Sequence, residues 1–185
     1  MISPNEEQYI LAQAYVPEHI VGLMSGISGG EPFLIGDYLG FAKDDWVILV
    51  GYPLTDNFDP KDFGRVIAGS ITSFRPVHLW FIAPEVPPSV AQFCQARESD
   101  DYYTLALQRF EPKANLRRIV NRASRDLTVE RSREIAKDHA DLIAEFLERE
   151  KPGPRIERLF LSMAQYVAGA CTAVVLTARD RAGAP

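Results

Sequence analysis

Cysteine and histidine are both scarce, with two and three copies among 185 residues. Cys94 and Cys171 do not make a disulfide framework, and neither stands in a Cys-x-x-Cys or Cys/His ligand spacing. His19, His78 and His139 stand apart, with no carboxylate or cysteine at ligand spacing, so metal binding is not expected. Each reads as a hydrogen-bonded, half-buried residue and not as a catalyst. Long apolar runs are missing as well: none approaches the ~18–20 residues of a membrane span. The acidic opening, residues 1–8, lacks the basic and apolar regions of a signal peptide, so a cytoplasmic location is the expectation. The glycines of residues 25–30 match neither a dinucleotide fingerprint nor a P-loop, and no serine sits in a Gly-x-Ser-x-Gly context. Internal repeats and low-complexity tracts are absent.

What is present fits an ordinary globular protein of one domain, or one domain plus a fragment: 46% apolar and 24% charged residues, with a net charge of −5. The charge is uneven. Residues 1–111 hold 6 basic and 15 acidic side chains, whereas residues 112–185 hold 14 and 10. A net-acidic chain is a poor general coat for nucleic acid, but the basic second part stands out.

The pattern predicts a short helix over residues 6–15, then strands over 32–42 and 46–52, joined by Lys43, Asp44 and Asp45 as an antiparallel hairpin. Asp59-Pro60-Lys61-Asp62 has helix-start chemistry, and Phe63, Val66, Ile67 and Ile71 continue it at helical spacing over 60–73. Residues 77–83 read as a short apolar strand, 88–96 as a helix and 101–108 as a strand. Beyond Pro112 the texture becomes helical. Leu116, Ile119, Val120, Ala123 and Leu127 form one apolar stripe. A second runs from Ile135 to Leu147, and a third from Ile156 towards Val167. Residues 128–130 read as a short extended link. Residues 170–178 read as a strand and 179–183 as a Gly-containing turn, which together make half of a hairpin whose return strand is missing. Such a strand either pairs on one side only or belongs to the front portion of a longer protein.

Two groups carry candidate chemistry. Lys113, Arg117, Arg118, Arg122 and Arg125 fall on one helix, with Arg118, Arg122 and Arg125 sharing a side. Guanidinium forks suit phosphate or carboxylate, although a solvated face opposite the Leu116 stripe explains the same pattern. Asp100-Asp101-Tyr102-Tyr103 offers carboxylates as general bases and phenols as proton donors, and equally reads as turn chemistry leading into a half-buried strand. Gly51-Tyr52-Pro53, at a strand end, is where ligand crevices of α/β proteins open. The aromatic residues Trp46, Tyr52, Trp80, Phe81, Tyr102 and Tyr103 suit either a ligand cleft or core packing.

Residues 46–54, 77–83, 100–105 and the basic segment 116–123, taken in that order, resemble a domain of unknown function related to the C-terminal part of phosphatidylglycerol lysyltransferase. That group belongs to the GNAT-like acyltransferases, which include tRNA-dependent aminoacyltransferases. The resemblance covers residues 33–180. It implies a mixed α/β fold, a GNAT-like mixed sheet flanked by helices. After an N-terminal segment, 1–32, it implies a first unit over 33–127 and the start of a second over 133–185. The acetyl-CoA-binding members of that group use an [RQ]-x-x-G-x-[GA] loop between a strand and a helix. The nearest stretch here, residues 165–170, has alanine in place of the key glycine and precedes a strand.

The expected function is therefore transfer of an acyl or aminoacyl group to an amine or hydroxyl acceptor. Arg118 and Arg122 would hold a phosphate-bearing donor, acyl-CoA or aminoacyl-tRNA. Asp101 would act as base or orienter, and Tyr103 would give a proton to the leaving group. The alternative is a non-catalytic ligand-binding or dimerisation module of the same fold, with a homodimer formed through the C-terminal strand. RNA contact through the arginine helix is a third, weaker reading.

Overall fold

The structure, a computed structural model, describes residues 2–55, 57–103, 110–170 and 173–185, the side chain of Arg155 left aside. Among the described residues six α-helices and six strands make a four-stranded mixed sheet and a two-stranded antiparallel sheet, the mixed α/β class expected. The chain divides into two compact units, Met1–Arg97 and Glu98–Pro185. The second holds both the arginine-bearing helix, which the resemblance put in a unit ending at 127, and the segment 133–185.

In unit 1, α1 (Pro4–Gln13) starts on a capping box. The Ser3 hydroxyl accepts from the Glu6 amide, and the Glu6 carboxylate accepts from the Ser3 amide at 2.6 Å. A short 3₁₀ turn (Pro17–His19) leads into α2 (Val21–Ser28), which ends at Gly29 with φ +69°. The expected strand over 32–42 is in fact two, β1 (Glu31–Ile35) and β2 (Tyr38–Lys43). Ile35 pairs with Tyr38 across a two-residue turn whose first position is Gly36, at φ +59°. A tight hairpin turn of this kind needs positive φ, which glycine supplies at no steric cost. β3 (Trp46–Val50) pairs antiparallel with β2, closing the hairpin expected at Asp44 and Asp45.

α3 (Pro60–Phe74) then crosses to β4 (His78–Ile82), which lies parallel to β3. Successive strand residues face opposite sides, so the sheet buries two apolar layers. One layer, Phe33, Tyr38, Val47 and Leu49, packs with Phe63, Val66 and Ile67 of α3. The other, Leu39, Phe41 and Val50, packs with Ile10, Val16 and Leu54. Phe63 is fully buried, with Tyr38, Phe81 and Phe58 ring centroids at 5.2, 5.7 and 6.0 Å. The helix expected over 88–96 is only a 3₁₀ turn, Ala91–Phe93. Phe93 is 71% exposed there and Val90 is only partly buried against the core, too little burial to offset the cost of nucleating a short helix.

Unit 2 has three helices, α4 (Ala114–Asp126), α5 (Lys137–Glu150) and α6 (Pro154–Gly169). The link expected at 128–130 is a full strand, β5 (Leu127–Ser132), and it pairs antiparallel with β6 (Val175–Asp180). Residues 173 and 174, expected in the last strand, precede it, and Cys171 and Thr172 lie outside the described residues. Of the strand expected over 101–108, residues 101–103 take no strand conformation and the remainder lies outside the described residues.

Candidate functional site

The arginine row emerges on α4 as the spacing predicts. Arg117, Arg118, Arg122 and Arg125, with Ala114 and Asn121, surround an open hollow on the helix surface. All six come from this one helix, so the hollow is a gap between neighbouring side chains on a convex surface. Arg117 Nε donates to the Pro112 carbonyl at 2.8 Å, and Arg118 Nη2 donates to Asn115 Oδ1 at 3.3 Å. Arg122 makes no hydrogen bond among the described residues. The opposite face of α4 is open too, with Leu116, Ile119 and Val120 between 42% and 55% exposed.

Asp101 and Tyr103 are exposed, Tyr103 to 92%, and neither lines that hollow. The structure thus brings Arg118 and Arg122 together, whereas Asp101 and Tyr103 stand in open chain. Neither of the latter two has a hydrogen-bond partner among the described residues.

An acyl-CoA pyrophosphate would need free amides at a strand-to-helix junction. In unit 1 the junction between β3 and α3 is closed to it. Asp59 Oδ1 accepts from the Lys61 amide at 2.9 Å, and Asp62 adds a second carboxylate in the first turn. Both charges favour the positive end of the helix dipole and repel a phosphate there. The strand end is closed as well. A Cβ on Gly51 would lie 2.5 Å from Ala83 Cβ and 2.7 Å from the Phe63 ring. The residues at this junction do not fit the donor's phosphates.

Two polar nodes escaped the sequence reading. The first holds the segment before α2 against the exit of β3. His19 is fully buried, its Nε2 lies 2.8 Å from the Tyr52 carbonyl, and its Nδ1 accepts from the Tyr15 amide at 3.4 Å. Since a carbonyl only accepts, the proton sits on Nε2. Burial lowers the His19 pKa below the ordinary histidine value, against the smaller upward pull of the Tyr52 carbonyl and Glu18. Burial, helped by the Glu18 carboxylate, also raises the Tyr52 phenol.

The second node joins α5 to the small sheet. Arg179 bonds Glu130 at 2.7 Å and Asp138 at 2.6 Å, and His139 Nε2 lies 2.6 Å from Thr177 Oγ1. The Arg179 bond is the chief cause holding the Asp138 carboxyl below its usual pKa. Asp138, His139 and Thr177 have the order of a carboxylate–imidazole–hydroxyl relay, but the hydrogen bonds run the wrong way. The Ala136 amide donates to His139 Nδ1 at 2.9 Å, so Nδ1 carries no proton and Nε2 donates to Thr177. An imidazole that donates to the hydroxyl cannot take its proton. The node is a clasp: it caps the start of α5 and ties β6 down. At the far end Arg181 donates twice to the Arg125 carbonyl, at 2.8 and 3.2 Å, satisfying an orphan acceptor of the last turn of α4.

Compared with family models, curated proteins and solved structures, the chain matches none. Among the described residues no helix is long and apolar enough to cross a membrane, and no three His, Cys, Asp or Glu side chains gather as a metal site.

Proposed function

We propose that this chain is a non-catalytic binding and dimerisation module built on a mixed acyltransferase-like scaffold. One observation carries the reading. Every buried apolar side chain among the described residues belongs to unit 1, none beyond Pro87. Unit 2 leaves its apolar stripes open. Ile119 and Val120 of α4, Val129 and Leu176 of the small sheet, and Ile156 and Leu161 of α6 are 49–70% exposed. Apolar surface left in water favours association, because covering it removes it from water at about 25 cal/mol per Å². The test is light scattering over a hundredfold range of protein concentration. The reading requires self-association, or a stable complex with another chain, that shields unit 2 from a hydrophobic dye. A monomer that binds neither partner nor dye overturns it.

Acyl or aminoacyl transfer is the second reading, favoured by the arginine pair Arg118 and Arg122 on an open surface. In that reaction the row holds the donor's phosphates, Asp101 orients or deprotonates the acceptor, and Tyr103 protonates the leaving group. The donors to try are CoA thioesters and aminoacyl-tRNA. A shift in melting temperature with either, together with label transfer lost in Asp101→Asn, supports it; no shift and no transfer removes it.

A further inference from the structure

We propose that an open hollow at one end of the four-stranded sheet binds a small zwitterion with an apolar body, of the class of an apolar α-amino acid. The site is built from unit 1 alone, so it stands whether or not unit 2 associates. The hollow holds about 400 Å³, within the ~300–1,000 Å³ of small-molecule sites. Strand register divides its wall by chemistry. Paired residues share a face, so Glu31, Ala42 and Val47 lie on one side of the sheet, and Lys43 and Trp46 on the other. Ala42 and Val47, with Phe74 and Pro76 at the end of α3, supply apolar surface. Glu31 and Asp44 bring two carboxylates, and Lys43 brings one ammonium. All three are exposed, yet among the described residues no ion pair joins Lys43 to either acid.

The glycine pair that matched no phosphate-binding motif sets two of these groups in place. A Cβ on Gly29 would come 3.0 Å from Lys43 Nζ, and a Cβ on Gly30 would come 3.0 Å from Trp46 Cη2. Side chains at 29 and 30 would push the ammonium and the indole aside. Gly29 is also the C-cap of α2, where the negative end of the helix dipole favours a cation. The indole is half-buried, with its ring centroid 6.2 Å from that of Trp80. An ammonium and carboxylates that line one hollow without pairing complement a molecule that carries both charges. Its carboxylate meets Lys43, its ammonium meets Glu31 or Asp44, and its apolar body covers Val47 and Phe74. A simple anion would face two carboxylates, and a simple cation would face Lys43.

The experiment titrates the full chain with L-leucine, followed by tryptophan fluorescence, since Trp46 lines the hollow, and by calorimetry. Leucine should give a saturable signal. Leucinamide, which lacks the carboxylate, and N-acetyl-leucine, which lacks the ammonium, should each bind roughly tenfold more weakly. Lys43→Met should remove the preference for leucine over leucinamide and keep that over N-acetyl-leucine, and Lys43→Arg should restore the first. Glu31→Gln combined with Asp44→Asn should do the reverse, the asparagine tolerating the φ of +51° at position 44. Leucyl-leucine separates the two sources of this chemistry: tighter binding than leucine assigns the site to a peptide, weaker binding to a free amino acid. Should a variant unfold, the analogue series on the wild type carries the test by itself. No saturable signal with leucine or leucyl-leucine, or equal affinity for leucine and both analogues, overturns the site and leaves the association of unit 2 untouched.

Discussion

Acid should loosen unit 1 through His19. The imidazole is fully buried, with one nitrogen donating to the Tyr52 carbonyl and the other facing the Tyr15 amide. A second proton would set two N–H groups against each other and strand a charge away from water. The folded-state pKa is accordingly lowered, with burial the first cause. In the unfolded chain histidine takes its proton near pH ~6.5. Below that pH the unfolded state binds a proton that the folded state refuses, so stability falls with acid. The loss starts near pH ~6.5, steepens to about 1.4 kcal/mol per pH unit at most, and ends at the folded-state pKa. A loss of 1 kcal/mol in a domain of 60–100 residues lowers the melting temperature by roughly 4–8 °C.

Both tryptophans, Trp46 and Trp80, lie in unit 1, so fluorescence melts of the full chain report that unit. Melts from pH 8 to pH 5, paired with His19→Gln, isolate the histidine, because the carboxamide does not titrate and other groups cancel in the difference. The wild type should lose more of its melting temperature than the variant over that range. Identical pH dependence in the two proteins, or an assigned His19 imidazole titrating at or above pH ~6.5, would refute the reasoning.

Three further expectations test other parts of the structure. Phe63→Ala should cost about 3–5 kcal/mol in urea melts of unit 1, since Phe63 centres an aromatic group and its removal leaves a cavity. Gly40→Ala should cost about 1–3 kcal/mol, because the new Cβ would meet the Phe33 ring at 2.3 Å; an unchanged midpoint would mean that the ring moves freely. The double variant Arg118→Glu, Arg122→Glu should leave the melting temperature of unit 2 within the scatter of surface substitutions, about 0.5 kcal/mol. If the row binds phosphate-bearing donors or RNA, the same variant abolishes that binding and its steep weakening with salt.

Local chemistry was legible where it is self-contained. Asp59-Pro60 reads as a helix start because cap, proline and first-turn acid act within four residues, and α3 begins there. The β2–β3 hairpin follows from two aromatic and β-branched runs around a short acidic connection. Gly36 was the missed signal: without it the strand over 32–42 reads as continuous, yet one positive φ splits it in two. The pattern reads each histidine as a bonded, half-buried group; His139 is one, His19 is fully buried and His78 is exposed, and the partners of His19 and His139 lie at Tyr52 and Thr177, 33 and 38 residues away.

From composition and periodicity alone came the mixed class, the cap and hairpin signals, and the apolar and basic stripes of α4. Those depend on interactions within one or two turns of chain. The pairing of β5 with β6, which brings Glu130 to Arg179 across 49 residues, depended on the folded chain. So did the direction of the proton between His139 and Thr177, and the isolation of Asp101 and Tyr103 from the arginine row. Periodicity tells which side of a helix is apolar; only long-range packing tells what, if anything, covers it, because closing a long loop is an entropy cost that no local pattern records.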